Sequence, residues 1–237
     1  MRMKPAGLLV AALAVGMAGR AAAQSQGWAI TPFAGFVMPL GNLVEYADPG
    51  APEFLQLEPT GGIMVGVNGE LSLNKQFAVS GFISSTVGLT QKATQHFRCS
   101  AATCGSTIVE DFQYGLATTQ LGATFVVRPL GRLPNGAPKL FFLEAGAGLN
   151  MTQFSDVADR NGEPAPSWNG ATPMIILGGG TTFRIGPRST VVAFARYNMA
   201  MSEYTSDGLD DWNSVPPEDP GQKVNVLLVG VGLRTGR

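Results

Sequence analysis

The segment Phe77-Ala78-Val79-Ser80-Gly81-Phe82-Ile83-Ser84-Ser85-Thr86-Val87-Gly88-Leu89-Thr90 carries the reading of the whole chain. Every second residue from Phe77 (Phe77, Val79, Gly81, Ile83, Ser85, Val87, Leu89) belongs to a mainly apolar set. The intervening residues, Ala78, Ser80, Phe82, Ser84, Thr86, Gly88 and Thr90, are mainly small and polar. A period of two is that of a strand whose two faces meet different surroundings. The pattern returns along the chain. Ile63, Val65, Val67, Leu71 and Leu73 oppose Asn68, Glu70 and Ser72. Phe141, Leu143, Ala145, Ala147, Leu149 and Met151 oppose Glu144, Gly146, Gly148 and Asn150. Val191, Ala193, Ala195, Tyr197, Met199 and Met201 oppose Arg196, Asn198 and Ser202. Eight such segments are predicted, at about 28–38, 60–73, 77–90, 112–128, 139–153, 172–185, 190–203 and 222–234. Most exceed the roughly 9–11 residues with which a tilted strand crosses a bilayer.

Two long uncharged stretches, Gln24 to Val44 and Pro164 to Phe183, would suit a membrane helix by length alone. Their content argues against it. The first holds Pro32, Pro39, Gly35 and Gly41; the second holds Pro164, Pro166, Pro173 and Gly178-Gly179-Gly180. Proline costs about 3 kcal/mol and glycine about 1 kcal/mol in a helix interior. Residues 1–23 are read apart from the fold. Arg2 and Lys4 precede the apolar run Ala6 to Ala18, and Ala21-Ala22-Ala23 offers small residues before Gln24, the layout of a secretory signal peptide. Residues 24–237 then form one barrel domain outside the cytoplasm. Cys99 and Cys104 fit that compartment, either bonded across a small loop or as two free thiols.

The connections alternate in length. Asn74-Lys75-Gln76, Gly186-Pro187-Arg188-Ser189 and the Pro/Gly-rich 129–138 are short, whereas the other four run to about 16–23 residues. Charge follows the same division. Of 17 acidic residues, only Glu70 and Glu144 lie inside predicted strands; the others fall in the long connections or beside them. Lys75, Arg128, Arg132, Lys139, Arg184, Arg188, Arg234 and Arg237 gather at the short-turn end. Between the ends, one face is almost free of charge, as a lipid-facing surface must be: Arg or Lys at mid-depth there costs ~2–4 kcal/mol. A soluble sandwich would scatter charge along its outward face.

Composition narrows the function. With 14% charged and 45% hydrophobic residues the chain is not a disordered one. A net charge of −1 and no basic stretch argue against nucleic acid. One histidine and two cysteines make a His/Cys metal site unexpected, and no cofactor is expected. Glu70, Glu144, Arg184 and Arg196 fall on the inner face, with Arg128 and Arg234 at the basic rim. Eight strands enclose a space just wide enough for side chains, so Glu70 and Glu144 are expected to pair with Arg196 or Arg184 in the lumen. Such pairs form either a structural plug, the favoured reading, or a gated ion path. His96 with Ser100, Glu110 and Asp111 could serve a hydrolase, but no motif fixes their geometry. Asp207, Asp210 and Asp211 lack the spacing of a calcium loop. Tyr204 is read as part of an interfacial aromatic belt.

On these residues the chain resembles the small eight-stranded outer-membrane barrels of the OmpA/OmpX type. The likeness is architectural and covers nearly all of residues 24–237. Trp28-Ala29-Ile30-Thr31-Pro32-Phe33-Ala34-Gly35-Phe36 is similar to first strands in this broad family, and Val226-Leu227-Leu228-Val229-Gly230-Val231-Gly232-Leu233-Arg234 to last ones. The chain ends Arg234-Thr235-Gly236-Arg237 where such barrels usually end on an aromatic residue. The resemblance implies an all-β, antiparallel up-and-down eight-stranded transmembrane β-barrel in the outer membrane of a diderm bacterium. It implies contact with outer-membrane lipids, lipopolysaccharide and the barrel assembly machinery, without the peptidoglycan-binding domain of OmpA. The expected role is structural or adhesive and not enzymatic. A narrow porin or transporter for small solutes is the alternative, and a lipid A-modifying enzyme the third.

Overall fold

The computed structural model describes residues 27–42, 44–47, 54–87, 90–131, 139–155, 169–186, 189–202 and 223–236. The leader at 1–23, the Asp207-Asp210-Asp211 cluster and Tyr204 lie outside them. Eight strands form a closed wall: β1 (Trp28–Leu40), β4 (Gly62–Ser72), β5 (Phe77–Thr86), β7 (Ile108–Val127), β8 (Phe141–Ser155), β9 (Asn169–Arg184), β10 (Ser189–Ala200) and β11 (Asn225–Gly236). Each pairs antiparallel with the next of these, and β11 returns to β1 with Gly35 opposite Gly230 and Phe36 opposite Val229. No described helix is long and apolar enough to cross a membrane, which says nothing of a barrel.

The period-two pattern acquires its direction here. Ala78, Ser80, Phe82, Ser84 and Thr86 are buried on β5, whereas Val79 is 42% exposed. The same parity holds around the wall: the inward set mixes small and polar residues with buried apolar ones such as Phe33, Met64 and Phe194, whereas the outward set is almost wholly apolar. A soluble monomer rarely exposes a contiguous apolar patch beyond a few hundred Å². An unbroken apolar girdle is the surface that hydrocarbon requires. Phe77, Phe125, Phe141 and Phe183 share the outward face near the short turns, and the Phe77 and Phe125 rings stack at 5.5 Å. Together they mark an aromatic edge to the girdle.

Two of the long connections are not loops. The first contains β2 (Val44–Ala47) and β3 (Phe54–Pro59); the second contains β6 (Gln91–Cys99) and a one-turn helix, α1 (Ala101–Cys104). β7 runs 20 residues, and its upper half pairs with β6, which pairs with β3, which pairs with β2. The sheet therefore continues beyond the closed wall. These segments escape the period-two reading because their charged residues, Lys92, His96, Arg98, Glu58 and Glu110, interrupt any apolar face. Above the lipid a strand needs no such face and is held by its backbone ladder.

Cys99 and Cys104 form a disulfide across the tip of the β6–β7 hairpin. Gly105 ends α1 at φ 74°, a left-handed conformation that suits glycine. Opening so small a loop removes about 2 kcal/mol in the chain-entropy estimate. Cys99→Ser with Cys104→Ser is accordingly expected to raise amide exchange at the tip by more than tenfold and to leave the barrel strands unchanged. Equal exchange in both proteins would show that the bond does not hold the tip.

Candidate functional site

Register places the first lumen pair. Glu144 on β8 and Arg196 on β10 both lie opposite Gly178 of β9. A Cβ on Gly178 would stand 3.0 Å from Glu144 Oε1 and 3.1 Å from Arg196 Cγ, so the absent side chain lets the two charges meet across the intervening strand. Arg196 Nε donates to Glu144 Oε1 at 2.7 Å and its NH2 donates to Oε2 at 3.2 Å. Thr124 Oγ1 adds a donor to Oε2 at 3.0 Å, and Arg196 NH2 also donates to Asn68 Oδ1 at 3.2 Å. The guanidinium carbon lies 4.2 Å from the Phe82 ring centroid and 5.0 Å from that of Phe194. Cation and rings thus supply an attraction that water cannot screen at this depth. Both side chains are nearly sealed, at 4% and 1% exposure.

Glu70 takes different partners from those expected. It accepts from Arg128 NH2 and, at 2.7 Å, from Arg234 NH2, while Arg128 NH1 donates to Ser72 Oγ at 3.3 Å. Arg128 and Arg234 are buried inside the barrel rather than standing at the rim. Arg184 does the reverse. It is exposed, makes no lumen pair among the described contacts, and donates from Nε to Gly186 O at 3.1 Å. The cause is the stagger of the wall. β8 begins at Phe141, opposite Thr181, so Arg184 overhangs its neighbour and meets water. The parity that places Arg128 with Val126 and Thr124, and Arg234 with Leu228, was present in the sequence. The relative strand ends that separate Arg184 from them were not.

The two clusters leave little room. A cavity of about 30 Å³ lies between them, lined by residues including Thr31, Phe33, Asn68, Glu70, Glu144, Phe194 and Arg196. That accommodates about one or two waters. Higher in the lumen Asn198 Nδ2 donates to Gln120 Oε1 at 3.0 Å and Thr118 Oγ1 to Gln91 Oε1 at 2.7 Å. Ser84, Gln120, Asn150 and Thr172 follow one another around four strands in register, and each keeps one buried polar atom without a hydrogen-bond partner. Such groups call for bound water.

Outside the lumen, His96 Nε2 lies 3.7 Å from Glu58 Oε2 across β6 and β3, and Asp111 is opposite His96 in the β6–β7 register. Ser100 precedes α1 as its N-cap. Among the described residues no group of three His, Cys, Asp or Glu is placed to hold a metal ion.

No protein-family model and no curated protein sequence matches the chain. Solved structures do. The outer membrane protein OprG from Pseudomonas aeruginosa matches at a TM-score of 0.53 and 12% identity, over 89% of this chain and 96% of that one. AlkL, solved in DMPC lipid bilayers, gives 0.45 and 14% over 92% and 94%. The attachment invasion locus protein Ail of Yersinia pestis gives 0.39 and 16% over 87% and 98%. With eight antiparallel strands closed on themselves, an apolar exterior, and the course of OprG along nearly its whole length, the chain has the fold of the eight-stranded outer-membrane β-barrels.

Proposed function

We propose that the barrel acts as a membrane anchor that presents the sheet of β2, β3, β6 and upper β7 outside the membrane, in a structural or surface-interaction role. The observation that carries this reading is the filled lumen: Glu144–Arg196 and Glu70–Arg128–Arg234 occupy its lower half and leave a cavity of about 30 Å³. Among the described residues beyond the closed wall, the extension offers exposed charged side chains, Lys92 and Arg98 on β6 and Glu58 on β3. Purified protein in planar bilayers is expected to show no large, stable conductance. Cells carrying a variant with the β6–β7 hairpin tip replaced by a tight turn should lose adherence while the barrel still shows its heat-dependent gel shift. Unchanged adherence would overturn the proposal.

One observation favours a second reading, passage of small solutes. The partnerless polar atoms of Ser84, Gln120, Asn150 and Thr172 would suit a hydrated upper lumen leading down to Arg196. A sustained conductance abolished by apolar replacement of Gln120 and Asn150 would transfer the function to transport. The enzyme reading rests on His96 with Ser100, Glu110 and Asp111, beside which the structure sets Glu58 at 3.7 Å from His96. An unchanged lipid A acylation pattern with His96→Asn would remove it.

A further inference from the structure

The short-turn end carries cations that the lumen does not use. Lys75 stands in the turn between β4 and β5, and Lys139 lies just before β8; both are exposed. The two turns are tied together. Arg128 N, at the start of the β7–β8 connection, donates to Gln76 O at 2.7 Å, and within that connection Lys139 N donates to Gly131 O at 2.9 Å. A Cβ on Gly131 would stand 3.7 Å from Lys75 O. Gly131 has φ 75° and Leu140 has φ 84°. Glycine adopts that region freely, but leucine there is an outlier held against its preference. An open groove of about 550 Å³ lies beside them, lined by Asn74, Lys75, Gln76, Pro129, Leu130 and Gly131.

Depth identifies what this groove meets. Phe77 is two residues above Lys75, and Phe141 two above Lys139, about 7 Å at ~3.4 Å per residue. Those phenylalanines belong to the aromatic edge of the girdle, so the two ammonium groups reach the level of lipid headgroups. Leu130 and Leu140 beside them are 52% and 61% exposed. Cations next to exposed leucines suit an amphiphile better than a free solute. Among the described residues no carboxylate competes at this rim: the lowest, Glu70, lies inside the barrel against Arg128 and Arg234.

We propose that this groove binds the phosphate of an acidic phospholipid headgroup in the leaflet at the short-turn end. Lys75 and Leu130 line the groove, and Lys139 and Leu140, joined to its edge through the Lys139 N–Gly131 O bond, supply the second cation and the second apolar contact. The site would fix the height of the barrel in the bilayer whether or not the lumen conducts.

The test uses the full chain in nanodiscs containing equal amounts of phosphatidylethanolamine and phosphatidylglycerol, with retained lipid read by native mass spectrometry. The wild type should retain phosphatidylglycerol preferentially. Each cation at a lipid surface contributes about fivefold, so Lys75→Gln with Lys139→Gln should lower that preference by about 25-fold. Arg98→Gln at the opposite end should not change it. The heat-dependent gel shift verifies that each variant is folded. Three results would overturn the proposal: equal retention of both lipids by the wild type, an unchanged preference in the double variant, or displacement of the lipid by excess inorganic phosphate, which would mark a free-anion site.

Discussion

Glu144→Ala is expected to destabilise the folded barrel by about 3–5 kcal/mol, because it strands the Arg196 guanidinium in a sealed lumen. The side chain is 4% exposed, and its remaining contacts are Asn68 Oδ1 at 3.2 Å and the neighbouring rings. Neither supplies a counter-charge. Arg196→Ala should cost a similar amount for the mirror reason. The informative variant is Glu144→Leu with Arg196→Met, which removes both charges and keeps volume; it should recover most of the loss. Urea unfolding of each protein in the same lipid vesicles measures all three. A loss below about 1 kcal/mol for Glu144→Ala would mean that water reaches Arg196 freely, and the filled-lumen reading would fall with it.

The second large effect lies on the opposite side of the wall. Val229 of β11 is 44% exposed and sits mid-strand between Phe36 of β1 and Ala195 of β10. Val229→Arg should cost ~2–4 kcal/mol, the expense of a guanidinium facing hydrocarbon at mid-depth. Thr235→Arg, on the same face of the same strand but at the short-turn end, should cost about 0–1 kcal/mol, because the side chain reaches the headgroups. The contrast separates a lipid-facing surface from a solvated one. Equal, small costs at both positions would place β11 in water.

The eight wall strands were legible because lipid outside and polar lumen inside impose opposite chemistry on alternate residues, and that pressure leaves a period of two. Where the pressure stops, legibility stops. β6 reads Gln91-Lys92-Ala93-Thr94-Gln95-His96-Phe97-Arg98-Cys99, with no continuous apolar face, and its pairing with β7 was invisible for that reason. The inward parity of Glu144 and Arg196 was equally readable, and the structure brings them together. Parity also put Arg184 in the lumen, where the structure does not keep it. Which inward charges meet depends on stagger between strands, a property of the closed cylinder that no single segment encodes. The partners of Glu70, Arg128 and Arg234, lie 58 and 164 residues away.

β7 is one uninterrupted strand from Ile108 to Val127, about 65 Å long at ~3.3 Å per residue. Its outer part holds the disulfide-closed hairpin and its inner part is a stave of the cylinder. A pull on the tip would therefore load the ladders to β5 and β8 lengthwise, so that many bonds must slide at once instead of opening one by one. A tether fixed to that hairpin would be stiff and strong, and the barrel would resist extraction as a unit.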